Sequence, residues 1–258
     1  EPETNTVADL IPQILPGSAD EFRLLTDAVG EKGYRQIDIN LGCPFPMIAG
    51  KHKGAGMLLY PAQVAEVLAP IAEYPEIQFS LKMRLGWENA SECMVLVELL
   101  NTLRLSRIAL HARTGKQQYK GHPDLEAFQG FYELCQHPLY YNGGIESLSD
   151  IRQILIRFPL LKGVFIGRGL LSSPLLAKEF KGNETFLPEQ RMSIYFAFHE
   201  ELFSAYSQVL QGETQLLVKM KTLWEYFLPE TDRKLLKRIK KSTRLQQYTE
   251  SVKAIFTS

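Results

Sequence analysis

The chain has 258 residues, 45% of them hydrophobic and 22% charged, with a formal net charge of +0 at pH 7. This composition is typical of a soluble globular protein with one large domain or a large and a small one. No apolar run approaches the roughly 20 residues of a membrane span, and the opening EPETNTVADL lacks the pattern of a signal peptide, so we expect a cytoplasmic protein with no membrane partner.

The cysteines are few, and their spacing matches no common disulfide or metal-binding pattern. Cys43, Cys93 and Cys135 are odd in number and have no CxxC spacing. This argues against a disulfide framework and against a zinc site. We therefore expect a reducing compartment and no bound metal.

Short apolar runs followed by turn residues predict strands, and the segments between them have helical periodicity, several with Ser, Asp or Pro at the start. The predicted strands are 7–15, 36–41, 77–84, 107–111, 139–142 and 163–167, and the predicted helices are 20–31, 61–73, 91–103, 125–135 and 147–157. This alternation indicates a buried parallel sheet with crossover helices. An α/β barrel and a doubly wound sheet both fit.

From about residue 187 the pattern changes to amphipathic helices without strands. Tyr195, Phe198 and Tyr206 recur at helical spacing and are interpreted as core. The junction between the two parts contains the helix-breaking or turn-forming residues Gly182, Asn183 and Pro188. The predicted domains are an α/β domain at 1–182 and an all-helical domain at 188–258.

Positive charge is concentrated in the helical domain. Residues 233–244, RKLLKRIKKSTR, contain seven basic residues and no acidic one. Such a run is either a solvated helix face or a surface for an anionic partner. The run alone does not decide between these two interpretations.

A motif ends or directly follows each of the last five predicted strands. In chain order these are GCP, KMR, HART, NGGI and GRG, at 42–44, 82–84, 111–114, 142–145 and 167–169. In an α/β barrel they would converge at the carboxyl ends of the strands, where active sites of that fold lie. A phosphate could bind there to Gly143, Gly144, Gly167 and Arg168. The same residues are also compatible with two tight turns and a surface arginine that bind no ligand.

Cys43 lies between Gly42 and Pro44, on a turn that neither strand nor helix can continue. This placement fits a reactive thiol, but also a structural cysteine. Gln13, Asn40 and Lys82 are polar groups in apolar surroundings that need partners. Together they outline a planar ligand with a polar edge.

These motifs resemble the tRNA-dihydrouridine synthase family, over about residues 7–174. The similar segments are QIL, DINLGCP, GAGMLL, LKMRLGW, HARTGKQQYKG, NGGI and IGRGLL. The helical tail, with VKMKTLW at 218–224, is similar only in character and length, and most like bacterial members that act on the D-loop. The resemblance implies a TIM-type (β/α)8 barrel followed by a helical domain.

The resemblance further implies that reduced FMN transfers hydride to the uracil double bond of a D-loop uridine in tRNA, with NADPH as reductant. Cys43 would give the proton, which suits a thiol because its ordinary pKa of about 8.5 leaves it mostly protonated at neutral pH. The implied FMN contacts are Gln13, Asn40, Lys82, His111, Asn142, Gly143, Gly144, Gly167 and Arg168.

A tRNA substrate would explain the basic residues. An enzyme that takes a base out of its stack must also bind the surrounding RNA backbone, which is negatively charged. In the helical domain the candidates for phosphate contact are Lys219, Lys221, Lys237, Arg238 and Lys241. In the loop after the fourth strand they are Arg113, Lys116, Gln117 and Lys120.

The sequence departs from the family in three ways, one of which is GLLSSP at 169–174, where the family usually has a Gly-Asn pair before proline. Only six strands are predicted, whereas a barrel has eight, so we expect the chain to lack the first two strands of the barrel. Whether a chain without these strands retains FMN is then an open question. Residues 51–53, KHK, are expected to lie on a mobile lid that carries Cys43.

Two other functions fit parts of the pattern. One is an FMN oxidoreductase of the dihydroorotate or dihydropyrimidine type, which would not need a basic helical domain. The other is a tRNA-binding module without catalysis. A flavin spectrum and tRNA-dependent oxidation of NADPH would separate the three.

Overall fold

The computed structural model describes residues 10–256. Its six strands form one sheet in which every neighbouring pair is parallel. The strands are β1 (Gln13–Ile14), β2 (Gln36–Leu41), β3 (Gln78–Gly86), β4 (Leu105–Thr114), β5 (Leu139–Asn142) and β6 (Gly163–Phe165).

Helices connect the strands and continue after the last strand, with loops and turns between them. They are α1 (Ala19–Gly30), α2 (Pro46–Ala49), α3 (Pro61–Leu68), α4 (Glu92–Thr102), α5 (Leu125–Leu134), α6 (Leu148–Arg157), α7 (Arg168–Ser172), α8 (Leu176–Gly182), α9 (Pro188–Val209), α10 (Gly212–Leu223), α11 (Arg233–Lys241) and α12 (Leu245–Phe256). Two 3-10 helices, Gly54–Leu59 and Ala69–Glu73, flank α3.

The strand order decides between the two predicted architectures. The strands are neighbours in the same order as along the chain, β1 to β6. A doubly wound sheet reverses its order at a switch point, whereas right-handed crossovers that always advance in one direction place the connecting helices on one face, as in a barrel wall. The predicted α/β fold of the TIM-barrel type, followed by helices, is confirmed.

One face of the central strands lies in the hydrophobic core. Within β3 the side chains of Phe79, Leu81 and Met83 have no exposed surface. The edge strand β1 is much shorter than the predicted 7–15, since Pro12 and Pro16 lack the N–H that a longer ladder needs; residues 7–9 lie outside the described range. The last strand ends at Phe165 because Gly167 already caps α7.

The described chain divides into two compact units. The sheet unit extends to Gly144 and includes Ile151–Phe165, while the helical unit contains Ile145–Asp150 and the chain from Ile166 onward. Thus α7 and α8 group with the helices that follow them, and the limits 1–182 and 188–258 stay a prediction. None of the helices between residues 10 and 256 has the length and apolar character needed to cross a membrane.

The helical unit has its own hydrophobic core. Trp224, Phe227 and Tyr248 are among its most buried side chains, each at most 2% exposed. Tyr195 belongs to this core, as predicted, whereas Phe198 keeps 36% of its surface exposed.

Candidate active site

The side chain of Asn40 shapes the turn that carries Cys43. Asn40 Oδ1 accepts hydrogen bonds from the backbone N–H groups of Gly42 and Cys43, both at 2.9 Å. Short polar side chains commonly organise turns in this way. The turn leaves the Cys43 thiol partly exposed just after the carboxyl end of β2.

A chain of hydrogen bonds supports Asn40 from the sheet. Asn40 Nδ2 donates to Gln13 Oε1, Gln13 Nε2 donates to Asp38 Oδ2, and each distance is 2.6 Å. Ser80 Oγ donates to the other Asp38 oxygen at 2.6 Å. The predicted Gln13 and Asn40 are therefore brought together, with Asp38 and Ser80 as partners that the sequence reasoning missed.

Strand register explains why these groups meet. Asp38 pairs with Ser80 and Asn40 pairs with Lys82, so they occupy one face of the sheet. Side chains two residues apart in a strand share a face. The two-residue spacing between Asp38 and Asn40 in a predicted strand therefore indicated that Asp38 lies on the same face as Asn40.

Lys82 is a largely buried cation in the middle of this face. Among residues 10–256 it forms no hydrogen bond and no ion pair. Burial lowers the pKa of Lys82, the charge of Arg84 lowers it further, and the Asp38 carboxylate opposes both. A buried ammonium without a close counterion is costly, so this position suits an electron-rich ligand.

His111 and Arg113 form a buried pair at the end of β4. They are 6% and 4% exposed, and His111 Nε2 lies 3.2 Å from Arg113 Nη1. A guanidinium only donates, so Nε2 is the acceptor in this contact. Arg113 also donates to the carbonyl of Gly121 at 3.0 Å. The predicted RNA contact Arg113 is therefore part of the buried site wall.

The two glycines of the predicted phosphate turn after β5 have positive φ angles. Gly143 has φ +136° and Gly144 has φ +61°. A Cβ on Gly143 would lie 3.2 Å from His111 Cδ2, so glycine keeps this cradle open beside the ring. Asn142 instead uses its side-chain amide to bind the Phe165 carbonyl at 2.8 Å.

Gly167 and Arg168 lie in the helical unit. Gly167 is exposed, and no atom lies within 4 Å of the position its Cβ would take. Arg168 is half-buried and begins α7. Their predicted contact with phosphate stays a prediction.

The loop after β4 presents an aromatic ring that the sequence reasoning missed. Tyr119 is 49% exposed, and the guanidinium carbon of Arg84 lies 5.4 Å from its ring centroid. Of the predicted RNA contacts in this loop, Lys116 pairs with Glu88 at 2.6 Å, and Gln117 is bound within the loop to Thr114 and His122. Lys120 is exposed.

The segment after Cys43 is packed, which contradicts the expected mobile lid. Lys53 Nζ lies 2.5 Å from a carboxylate oxygen of Glu21, and the Ala55 N–H binds the Cys43 carbonyl at 3.0 Å. Gly54 has φ +57°, and a Cβ there would lie 2.8 Å from the Cβ of Cys43. Residues 53–58 therefore support the cysteine turn, while Lys51 and His52 are exposed.

In the helical unit, one side of α11 is basic. Lys234, Lys237, Arg238 and Lys241 follow the i, i+3, i+4, i+7 spacing of one helix face. They line a groove of about 420 Å³ whose other wall includes Gln247 and Glu250. We call these four residues the α11 stripe.

The two remaining predicted RNA contacts differ from the α11 stripe. Lys219 is exposed, with its ammonium 5.3 Å from the centroid of the Tyr206 ring. Lys221 is half-buried and donates to the carbonyl of Ser242, just after α11. Lys221 thus caps a helix end, which is a structural role.

No group of three or more His, Cys, Asp or Glu side chains between residues 10 and 256 is arranged to hold a metal ion. The polar groups on the sheet face are instead amides, one carboxylate, one hydroxyl and cations. This donor set suits an organic ligand with polar edges better than a metal.

The chain matches the Dihydrouridine synthase (Dus) family over residues 2–257 and belongs to that family. It is 28% identical to tRNA-dihydrouridine synthase B of Vibrio vulnificus over 174 residues, which cover 65% of this chain and 54% of the relative. It is 32% identical to a probable tRNA-dihydrouridine synthase of Rhizobium leguminosarum bv. phaseoli over 139 residues, covering 54% and 44%. The chain spans about half the length of the curated relatives it matches. The predicted family resemblance is confirmed.

Among solved structures, morphinone reductase is similar with a TM-score of 0.48 and 15% identity, covering 67% of this chain and 51% of that protein. The old yellow enzyme from Trypanosoma cruzi has a TM-score of 0.47 and 11% identity over 67% and 51%. Both similarities are partial.

Proposed function

We propose that this chain is the catalytic part of an FMN-dependent enzyme that reduces a uridine in the D-loop of tRNA to dihydrouridine in the cytoplasm, with NADPH as reductant. The observation that carries the proposal is the position of Lys82. Its ammonium has no partner within residues 10–256 and lies on the same sheet face as the Gln13 and Asn40 amides. Family membership supports the substrate class.

The residues on this face fit a flavin. Lys82 offers a cation to an electron-rich ring edge. Asn40 Nδ2 donates one N–H to Gln13 and Gln13 Nε2 donates one to Asp38, so each amide keeps a second N–H for a ligand. His111 and the open turn at Asn142, Gly143 and Gly144 would hold other parts of the cofactor. When bound, FMN supplies one hydrogen and two electrons to one carbon of the uracil double bond.

The chain itself supplies the proton for the other carbon. In this proposal Cys43 Sγ carries that proton, and the turn held by Asn40 leaves Cys43 partly exposed. Protonation at one carbon and addition of hydrogen at the other together saturate the bond. The packed segment behind Cys43 keeps the thiol in place during this step.

The RNA is held by exposed cations. A base must leave its stack to enter a protein pocket, so binding energy from backbone contacts is needed. We assign this role first to Lys237, Arg238 and Lys241 of the α11 stripe, which share one groove, and then to Lys219, Lys116 and Lys120. The buried Arg113 and the helix-capping Lys221 are better explained by structural roles.

Activity is tested by tRNA-dependent oxidation of NADPH and by direct detection of dihydrouridine. Cys43→Ala should retain flavin absorbance but lose about 100-fold or more in rate, while the control Cys135→Ala should keep the parent rate. Equal rates in Cys43→Ala and the parent would remove Cys43 as proton donor. Oxidation of dihydroorotate or of a free dihydropyrimidine by the flavin without tRNA would instead favour the small-molecule oxidoreductase, and tRNA binding without flavin would favour the binding module.

RNA binding is tested with charge-matched variants. Lys237→Ala with Lys241→Ala should weaken tRNA binding and reduce the slope of log K against log salt by about one to two. The control pair, Lys32→Ala with Lys162→Ala, removes the same charge from exposed loops that precede β2 and β6. If both pairs changed binding equally, the α11 stripe would not be the RNA surface.

A further inference from the structure

Arg84 is the most deeply buried charged side chain of the sheet unit. It is 1% exposed and lies near the carboxyl end of β3. Burial lowers the pKa of Arg84 to about 10. A cation in this position needs a strong compensating set of acceptors.

The acceptors are three backbone carbonyls from two different segments. Arg84 Nε donates to Gly42 at 3.0 Å, and Arg84 Nη1 donates to Thr114 at 2.8 Å and to Gln118 at 2.7 Å. No carboxylate pairs with Arg84 among the described residues. One guanidinium therefore joins the turn before Cys43 to the loop after β4.

The Gly42–Cys43 peptide is consequently held from both sides. Asn40 accepts its N–H and that of the preceding residue, while Arg84 binds the Gly42 carbonyl. On the other segment, Gln118 has φ +51°, and the next residue, Tyr119, lays its ring over the same guanidinium. The thiol and the exposed aromatic ring are thus fixed to a common group.

We propose that Arg84 is a positioning residue, which sets the Cys43 thiol and the Tyr119 loop in register for the incoming base. This inference rests on the proposed function, because it takes Cys43 as the proton donor. A guanidinium is required because its N–H groups diverge in one plane and reach both segments, whereas the single Nζ of lysine reaches one. Arg84→Lys keeps the charge and removes the bridge.

The first test follows alkylation of Cys43 by iodoacetamide, quantified for each cysteine by peptide mass spectrometry. Arg84→Lys should speed Cys43 alkylation about tenfold relative to Cys135 in the same molecule, because the turn opens locally. The control Arg107→Lys changes another half-buried arginine of the sheet unit, which packs on Tyr140 and Phe165. It should leave the ratio unchanged.

Global destabilisation would speed both cysteines together, so the ratio separates positioning from unfolding. A Cys43 to Cys135 ratio in Arg84→Lys equal to that of the parent would overturn the proposal. Arg84→Met, if it folds, should raise the ratio at least as much as the lysine variant.

The second test uses the reaction. Arg84→Lys should lower kcat for uridine reduction about 100-fold and change KM for tRNA little, because misplacement of a catalytic group affects the chemical step. A rise in KM with unchanged kcat would contradict a positioning role. If the parent reduces no uridine, the proposed function fails, whereas the alkylation ratio still decides the role of Arg84.

Discussion

Acidification from pH 7.5 to 5.5 should destabilise the helical unit through His199. This ring is 1% exposed, its Nε2 lies 2.7 Å from Tyr248 Oη, and its Nδ1 lies 3.1 Å from Glu200 Oε1. Trp224 Nε1 donates to the same Tyr248 oxygen at 3.0 Å. The Glu200 carboxylate can only accept, so Nδ1 carries a proton, and in the neutral ring Nε2 then accepts from the Tyr248 hydroxyl.

The direction and size of the effect follow from this network. Burial lowers the pKa of His199 below its ordinary value of 6.5, and Glu200 opposes part of the shift. Below pH 6.5 the unfolded chain binds a proton that the folded chain resists, so stability falls by up to about 1.4 kcal/mol per pH unit. Above pH 6.5 the histidine is mostly neutral in both states and stability changes little. The loss therefore accumulates between pH 6.5 and 5.5 and is limited to about 1.4 kcal/mol.

The assay is urea unfolding at pH 7.5, 6.5 and 5.5, followed by tryptophan fluorescence. The chain has two tryptophans, Trp87 and Trp224, so a Trp87→Phe background makes the signal report the helical unit. In that background His199→Gln should lower stability at every pH and reduce its pH dependence. Identical pH dependence with and without His199 would refute this reasoning.

Three further predictions concern the sheet unit. Gly54→Ala should destabilise the protein by at least about 2 kcal/mol more than Gly33→Ala in urea unfolding, since both glycines have positive φ but only the Cβ at 54 would strike Cys43; equal losses would mean that the contact is unimportant. Lys53→Met should cost about 1 kcal/mol, because its partly exposed ion pair with Glu21 is lost, whereas the control Lys51→Met should change stability by less than about 0.5 kcal/mol. Lys82→Met should raise the unfolding free energy of the flavin-free protein by about 1 kcal/mol or more by removing an unpaired buried charge, yet lose bound FMN as measured by absorbance; retained flavin would argue against Lys82 as a cofactor contact.

Much of the site was predictable because its determinants are local. Gly42 and Pro44 confine Cys43 to a turn, and polar residues such as Arg84, His111 and Asn142 lie near the carboxyl ends of buried strands. Parallel strands bring such ends to one edge whatever their order in the sheet. Gln13, Asn40 and Lys82 could therefore be proposed as neighbours from sequence alone, and their register in the sheet agrees.

Other features depend on contacts between residues that are distant in the chain. The role of Arg84 requires carbonyls up to 42 positions away, and the burial of Arg113 beside His111 overrides its place in an otherwise basic loop. Lys53 reaches Glu21 across 32 positions, which turns an expected lid into a packed support.

The amino-acid sequence by itself thus determined the alternation of strands and helices, the turn at Cys43 and the family resemblance, because periodicity and turn chemistry act over a few residues. Only the tertiary structure decided the sheet order and which cations are buried, which bridge two segments and which are exposed. Pairing across the sheet is set by register and close packing, which no local pattern encodes.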